Sequence, residues 1–350
     1  MADKEHSTGE ANKKEDEANP ASMGIQDSDS TVKAGGVEPN ASIEEPEKVQ
    51  DGEENDDNLG EIIIVDPDTE ELDMNHQRIC KLEHLENLTK VERLYMRWNL
   101  IKKIENLNSL VTLKELELYD NQISCLENLD CLVNLEVLDV SFNRLRDIKG
   151  LDHLCKLEKL FLCANKITRI ENVNHLKNLQ LLELGDNKIR KIENLEGLDN
   201  LKNLFLGKNK ITKIENLGSL TKLEILSLQS NRLTKIENLE CLTELDQLYL
   251  SENGLTVIEN LEKNTKITTL DLASNKIQKI ENVDHLADLE EFWLNDNLVE
   301  DWASVERLTG NKKLATLYLE RNPVAKDVSY RRKLRLILPW LTQIDATLCR

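Results

Sequence analysis

Between Asn99 and Asn297 an asparagine returns every 22 residues without a slip, passing through Asn121, Asn143, Asn165, Asn187, Asn209, Asn231, Asn253 and Asn275. A fixed period of this length restricts the chain to a stacked array. One unit is too small to bury its own apolar face and must lay it against the next. In the unit around Asn187 the apolar residues are Leu182 and Leu184, then Ile189, Ile192, Leu195, Leu198 and Leu201. The step of two is a short strand with both leucines on one face. The steps of three are the period of 3₁₀ turns, not of a 3.6-residue helix. Each unit is therefore predicted to be a strand followed by a tight return. Each buried aliphatic side chain stabilises the stack by about 1.5–3 kcal/mol before the cost of ordering is subtracted.

The asparagine has its own physical reason. It stands where the strand turns inward, and its amide carries two donors and an acceptor. In a stack these groups are expected to satisfy backbone atoms of neighbouring turns, which would otherwise cost about 1–3 kcal/mol each. The pattern L-x-L-x-x-N resembles the leucine-rich-repeat signature. The expected fold class is an α/β solenoid: a horseshoe with a parallel concave sheet and a convex side of 3₁₀ and short-helix segments.

Four stretches divide the chain. Residues 1–60 hold 17 acidic and 5 basic residues and no aromatic one. Such a composition predicts a disordered acidic tail, in which Ser7, Ser28, Ser30 and Ser42 lie near carboxylates as candidate phosphorylation sites. Residues 61–90 read as an N-terminal cap with a degenerate first repeat, Gln77 taking the asparagine place. Residues 91–322 read as eleven repeats. Residues 323–350 read as a C-terminal cap, in which Pro339 ends the preceding helix. From Asn297 to Asn322 is 25 residues, which places a three-residue insertion around Trp302.

The seven cysteines form no C-x-x-C pair and no cluster at either end of the array, and neither a signal peptide nor a membrane span is read. That usage points to a reducing compartment. No Gly-rich phosphate loop, metal-spaced His/Cys set or nucleophile–base pair is found, so neither enzyme activity nor a cofactor or metal is expected. His153, His175 and His285 share one repeat position but lie on separate repeats. The net charge of −20 opposes nucleic-acid binding. The lysines of NKIRKIEN and NKITKIEN are expected to line the turn edge, matched in number by the glutamates that follow, as ordinary solubilising charge.

Four residues before each ladder asparagine stands one column: Tyr95, Glu117, Asp139, Phe161, Glu183, Phe205, Ser227, Tyr249, Asp271, Trp293 and Tyr318. Six of the chain's 13 aromatic residues fall in it, beside four acids. These side chains are expected to point away from the core, on the inner face. Core packing does not demand such a composition there, whereas aromatic area beside selective charge suits a protein-binding surface. Glu115, Tyr119, Gln247, Glu291, Asn295 and Glu320 extend the stripe sideways.

The I-E-N triplets at 104–106, 170–172, 192–194, 214–216, 236–238, 258–260 and 280–282 carry a narrower likeness. So do the stretches LFLGKNKITKIENL, EFWLNDNLVEDW and YLERNPVAKD and the ending YRRKLRLILPWLTQIDAT. With these features, residues 72–350 resemble the leucine-rich-repeat regulatory subunits of protein phosphatase 1. The resemblance implies a non-catalytic subunit, largely nuclear and also cytoplasmic, that binds the phosphatase catalytic subunit through its concave face. It brings no small-molecule substrate and no membrane. The positions it carries over are Asp139, Phe161, Glu183, Phe205, Asp271, Glu291, Trp293 and Tyr318, to which the inner column adds Tyr249. The short basic–x–Val/Ile–x–Phe/Trp docking peptide used by most partners of that phosphatase is absent. The repeat and cap are shared with a spliceosomal ribonucleoprotein and with axonemal relatives, so the alternative expectation is a scaffold of a ribonucleoprotein or of a ciliary or cytoskeletal complex.

Overall fold

The computed structural model describes residues 65–349. The acidic stretch 1–60 with its four serines, and Ile62–Ile64 of the expected cap, lie outside the described residues. Twelve parallel strands of three residues each run from β1 (Glu71–Asp73) and β2 (Arg93–Tyr95) to β12 (Thr316–Tyr318). β13 (Gln343–Ile344) continues in parallel, and β14 (Thr347–Leu348) turns back antiparallel against it. All fourteen form one sheet in sequence order. Between β1 and β11 (Glu291–Trp293) each strand pairs with the next at a constant offset of one repeat, as in Leu94↔Leu116 and Leu182↔Leu204.

This register follows from burial. The middle residue of every three-residue strand points into the core, and from Leu94 to Leu317 these residues are fully shielded from water. Phe292 replaces the usual leucine on β11 and is equally buried. A slip of one residue would turn this whole row toward solvent. The spacing of three on the convex side has a simple origin. Leu110 N–H donates to the Leu107 carbonyl at 3.0 Å and Leu113 N–H to the Leu110 carbonyl at 3.1 Å, and the pattern recurs in each repeat. These are single 3₁₀-type turns laid end to end. Among the described residues, continuous helix occurs only near the C-terminal end. α1 (Trp302–Glu306) fills the expected insertion and is capped by Asp301. Two short 3₁₀ segments, Arg307–Gly310 and Pro323–Lys326, follow it. α2 (Tyr330–Ile337) buries Tyr330 and Leu334 and stops before Pro339.

The asparagine ladder has the expected chemistry. Asn187 Nδ2 reaches the carbonyls of Leu162, Leu184 and Gly185 at 2.9–3.1 Å, while the Oδ1 accepts from Ile167 N–H at 2.9 Å. The set repeats from Asn99 to Asn322. A second ladder, not anticipated from the sequence, uses the asparagine of I-E-N. Asn106, Asn172, Asn216 and Asn282, with their counterparts, sit in the left-handed region at φ near +60°. Each donates Nδ2 at 2.6–2.7 Å to a carbonyl one repeat back, as Asn172 does to Ile148. Asparagine tolerates this conformation and supplies the donor together. Gly150 holds the same place at φ +69°.

Candidate functional site

The constant register brings the predicted inner column together on one face. Asp139 on β4 (Val137–Asp139) lies beside Phe161 on β5 (Lys159–Phe161). Phe161 lies beside Glu183 on β6 (Leu181–Glu183), and Glu183 beside Phe205 on β7 (Asn203–Phe205). Ser227 on β8 (Ile225–Ser227) then separates this alternating quartet from a second group. That group is Tyr249 on β9 (Gln247–Tyr249), Asp271 on β10 (Thr269–Asp271), Trp293 on β11 and Tyr318 on β12. Glu291 stands on the next column of β11, half-buried.

The side chains expected on the inner face are not open to solvent. Strands in a sheet lie about 4.8 Å apart, so neighbours in the column cover one another. The aromatic residues are half-buried, and Glu117, Ser227 and Asp271 are buried. The acids compensate by capping backbone ahead of them. Asp139 accepts from Ser141 N–H at 2.8 Å, Glu183 from Gly185 N–H at 2.8 Å and Asp271 from Ala273 N–H at 3.0 Å. Burial outweighs these bonds and pushes the Glu183 carboxyl up to about 7 and that of Asp271 up to about 6. It raises Asp139 as well. Glu117 is also raised by burial, against the opposing effect of its ion pair with Arg97. The thiol of Cys163, on the same face, is pushed up to about 12 by burial and the nearby carboxylates, which makes it a poor nucleophile.

In the second group the rings of Tyr249 and Trp293 meet edge-on at 6.3 Å, and those of Trp293 and Tyr318 at 6.1 Å. Gln247 accepts from the Tyr249 hydroxyl at 2.9 Å, and Gln343 Nε2 donates to that of Tyr318 at 2.8 Å. Trp293 Nε1 is buried without a hydrogen-bond partner among the described residues. The result is a fixed aromatic platform around a carboxyl that is half protonated near pH 6. Among the described residues no group of three or more His, Cys, Asp and Glu converges to hold a metal ion. His175 and His285 instead place Nε2 3.0 and 2.8 Å from the carbonyls of Leu151 and Leu261 one repeat back, while His153 faces Asp130.

The family pattern described as "Leucine Rich repeats (2 copies)" matches residues 111–153, 155–197 and 199–241, and the pattern "Leucine-rich repeat" matches residues 243–346. The chain belongs to the leucine-rich-repeat family. Solved leucine-rich-repeat structures share its fold. An internalin (inlF) from Listeria monocytogenes superposes with a TM-score of 0.71 at 26% identity, over 79% of each chain. A leucine-rich-repeat protein of Leptospira interrogans gives 0.63 at 23% identity, over 75% of this chain and 74% of that one. Among curated relatives, a 53-residue segment is 57% identical to protein phosphatase 1 regulatory subunit 7 of Xenopus tropicalis. The Homo sapiens protein of that name is 53% identical over 53 residues. Each of these two matches spans 15% of this leucine-rich-repeat chain and 15% of the relative's length. Protein phosphatase 1 regulatory subunit SDS22 of Schizosaccharomyces pombe is 48% identical over 63 residues, 15% of this chain and 19% of that one.

Sequence reasoning missed one feature of the surface. The residue before each ladder asparagine adopts φ between +49° and +57°, and this turn throws its side chain onto the rim of the sheet. Trp98 and Phe142 occupy that position and are 41% and 46% exposed. His76 stacks on Trp98 at 4.3 Å, Trp98 meets Tyr119 at 5.5 Å and Tyr119 meets Phe142 at 4.8 Å. The signal was available as a column directly before the asparagines.

Proposed function

We propose that this chain is a non-catalytic regulatory subunit of protein phosphatase 1, gripping the catalytic subunit with its inner face and directing its activity. The observation that carries this reading is the single register that aligns Asp139, Phe161, Glu183, Phe205, Tyr249, Asp271, Trp293 and Tyr318, with Glu291 beside them. Relatives named as regulatory subunits of that phosphatase support the choice of partner and the absence of catalysis. The acids select basic groups on the partner, and the two aromatic groups supply the area whose burial gives affinity. The face binds as a preformed surface, so no docking peptide is required. The same reading places the complex in the nucleus and also in the cytoplasm.

The test is co-purification with the phosphatase catalytic subunit. Replacing Phe205 and Trp293 together by alanine leaves the fold intact, because both side chains lie outside the leucine core, and abolishes capture. Undiminished capture by the folded double variant rejects the inner face as the docking surface. Loss of a single interface anchor of this type costs about 2–4 kcal/mol.

A further inference from the structure

Along the turn edge the cations are not matched by carboxylates. In the five segments 142–147, 164–169, 186–191, 208–213 and 230–235 there are twelve lysines and arginines against two carboxylates, Asp147 and Asp186. Among the described residues only Arg169 of these twelve has a carboxylate within 4.0 Å, that of Glu193. Arg144, Lys166, Lys188, Lys210 and Arg232 hold one repeat position, directly after the ladder asparagine. Four of the five are exposed and Lys210 is half-buried. The reason is geometric. The glutamates of I-E-N sit five residues further round the return and half-buried on the convex side, which leaves the other eleven cations without a carboxylate within 4.0 Å among the described residues.

We propose that this rim is a second docking surface, for an acidic polypeptide segment with an apolar end. The cations recur once per repeat, about 4.8 Å apart, so five of them make a rail of about 20 Å. At its N-terminal end the rail runs into the stack of His76, Trp98, Tyr119 and Phe142, Phe142 being two residues from Arg144. The width of the strip selects the occupant. Inner-face acids such as Asp139 and Glu183 border it on one side, and the glutamates of I-E-N, such as Glu171 and Glu215, border it on the other. One positive column between two negative ones accommodates carboxylates carried on a single polypeptide. It repels the broader charge of a nucleic-acid backbone. The rail does not rest on the inner-face reading. The two surfaces have opposite charge and lie on different edges of each repeat, so a basic partner and an acidic one can be held together.

The test uses the full chain and a fluorescein-labelled peptide of about ten alternating glutamates and aspartates preceded by Leu-Trp, long enough to follow the rail when extended at about 3.3 Å per residue. Fluorescence anisotropy at low salt is expected to show saturable binding that weakens as salt screens the charges. Charge reversal by Lys166→Glu, Lys188→Glu and Lys210→Glu together is expected to weaken binding by more than about tenfold, and Trp98→Ala by several-fold. A neutral triple variant, with glutamine at the same three positions, guards against a folding defect and is expected to lose affinity in the same direction. Capture of the phosphatase catalytic subunit by the charge-reversed protein is expected to remain unchanged, which separates failure of the rim from failure of the inner face. The proposal is overturned if the peptide does not bind, or if both triple variants bind it like the parent. It is also overturned if single-stranded oligouridylate binds as tightly as the peptide, since the rail would then be reading phosphate.

Discussion

Glu183 Oε1 accepts the Gly185 N–H at 2.8 Å, and a side-chain carbon on Gly185 would stand only 2.6 Å from that same oxygen. The bare backbone at Gly185 is what lets the carboxyl fold back over its own strand end. Gly185→Ala is therefore expected to push the carboxylate off its bond. The displaced atom is the tip of a flexible side chain, so the stability change should stay within about 1 kcal/mol, the worth of one hydrogen bond. Phosphatase capture should weaken more than stability does. Equal stability and unchanged capture, measured by thermal unfolding and by co-purification, would remove Glu183 from the docking surface.

The protonation of the inner face sets a pH dependence with a definite sign. Glu183 titrates near 7 in the folded chain against about 4.5 in its ordinary state, and Asp271 near 6 against about 3.8. The folded state thus binds protons more tightly, and the two groups make stability fall as pH rises from about 4 to 7. Partner binding runs the other way. A cation on the partner favours the ionised carboxyls, so affinity should drop as pH falls below about 7 and protons should be released on association. Glu183→Gln should flatten the upper part of both profiles. Calorimetric titration in buffers of different ionisation enthalpy checks the proton release.

Removing a rung of the first ladder is costly. Asn187→Ala removes one of two donors from each of three carbonyls, those of Leu162, Leu184 and Gly185, and leaves Ile167 N–H without its acceptor. The unmatched N–H costs about 1–3 kcal/mol and each lost amide bond adds about 1 kcal/mol, so a loss of about 3 kcal/mol or more is expected. Urea unfolding followed by circular dichroism measures it. A loss under about 1 kcal/mol would mean that water replaces the amide.

Asn264 makes the opposite case. It is fully buried at the position where neighbouring repeats carry Leu242 and Leu286. Its Nδ2 reaches the carbonyls of Leu239 and Leu242, but its Oδ1 has no partner among the described residues. Both carbonyls already accept from the turn N–H groups of Leu242 and Leu245. Asn264→Leu should therefore leave nothing unsatisfied and stabilise the chain by about 1 kcal/mol. A lower unfolding midpoint would show that this repeat has no room for the larger side chain.

The fold could be read from the residues because each decisive contact in the stack is local to one repeat or to its neighbour, and the period carries it along unchanged. A single row of leucines implied the core, and Asn187 and its nine partners implied the ladder. The column from Asp139 to Tyr318 shares one face because parallel pairing without slips preserves phase. The helix α1 was hidden because the insertion around Trp302 breaks that phase, and the second ladder was hidden because its asparagine looked like a family mark with no assigned bond.

What the sequence determined alone is therefore everything that depends on phase: the strand, the return, the buried row and the identity of the inner column. Tertiary structure decided whatever depends on distance between side chains in adjacent repeats. Glu183 and Asp271 hold protons near neutrality because flanking strands shield them from water. Among the described residues Lys166, Lys188 and Lys210 have no carboxylate partner, because the nearby glutamates are carried round to the convex side. The first outcome turns on a few ångströms between groups some twenty residues apart and the second on the path of the return within one repeat, distances that a one-dimensional period repeats faithfully but does not measure.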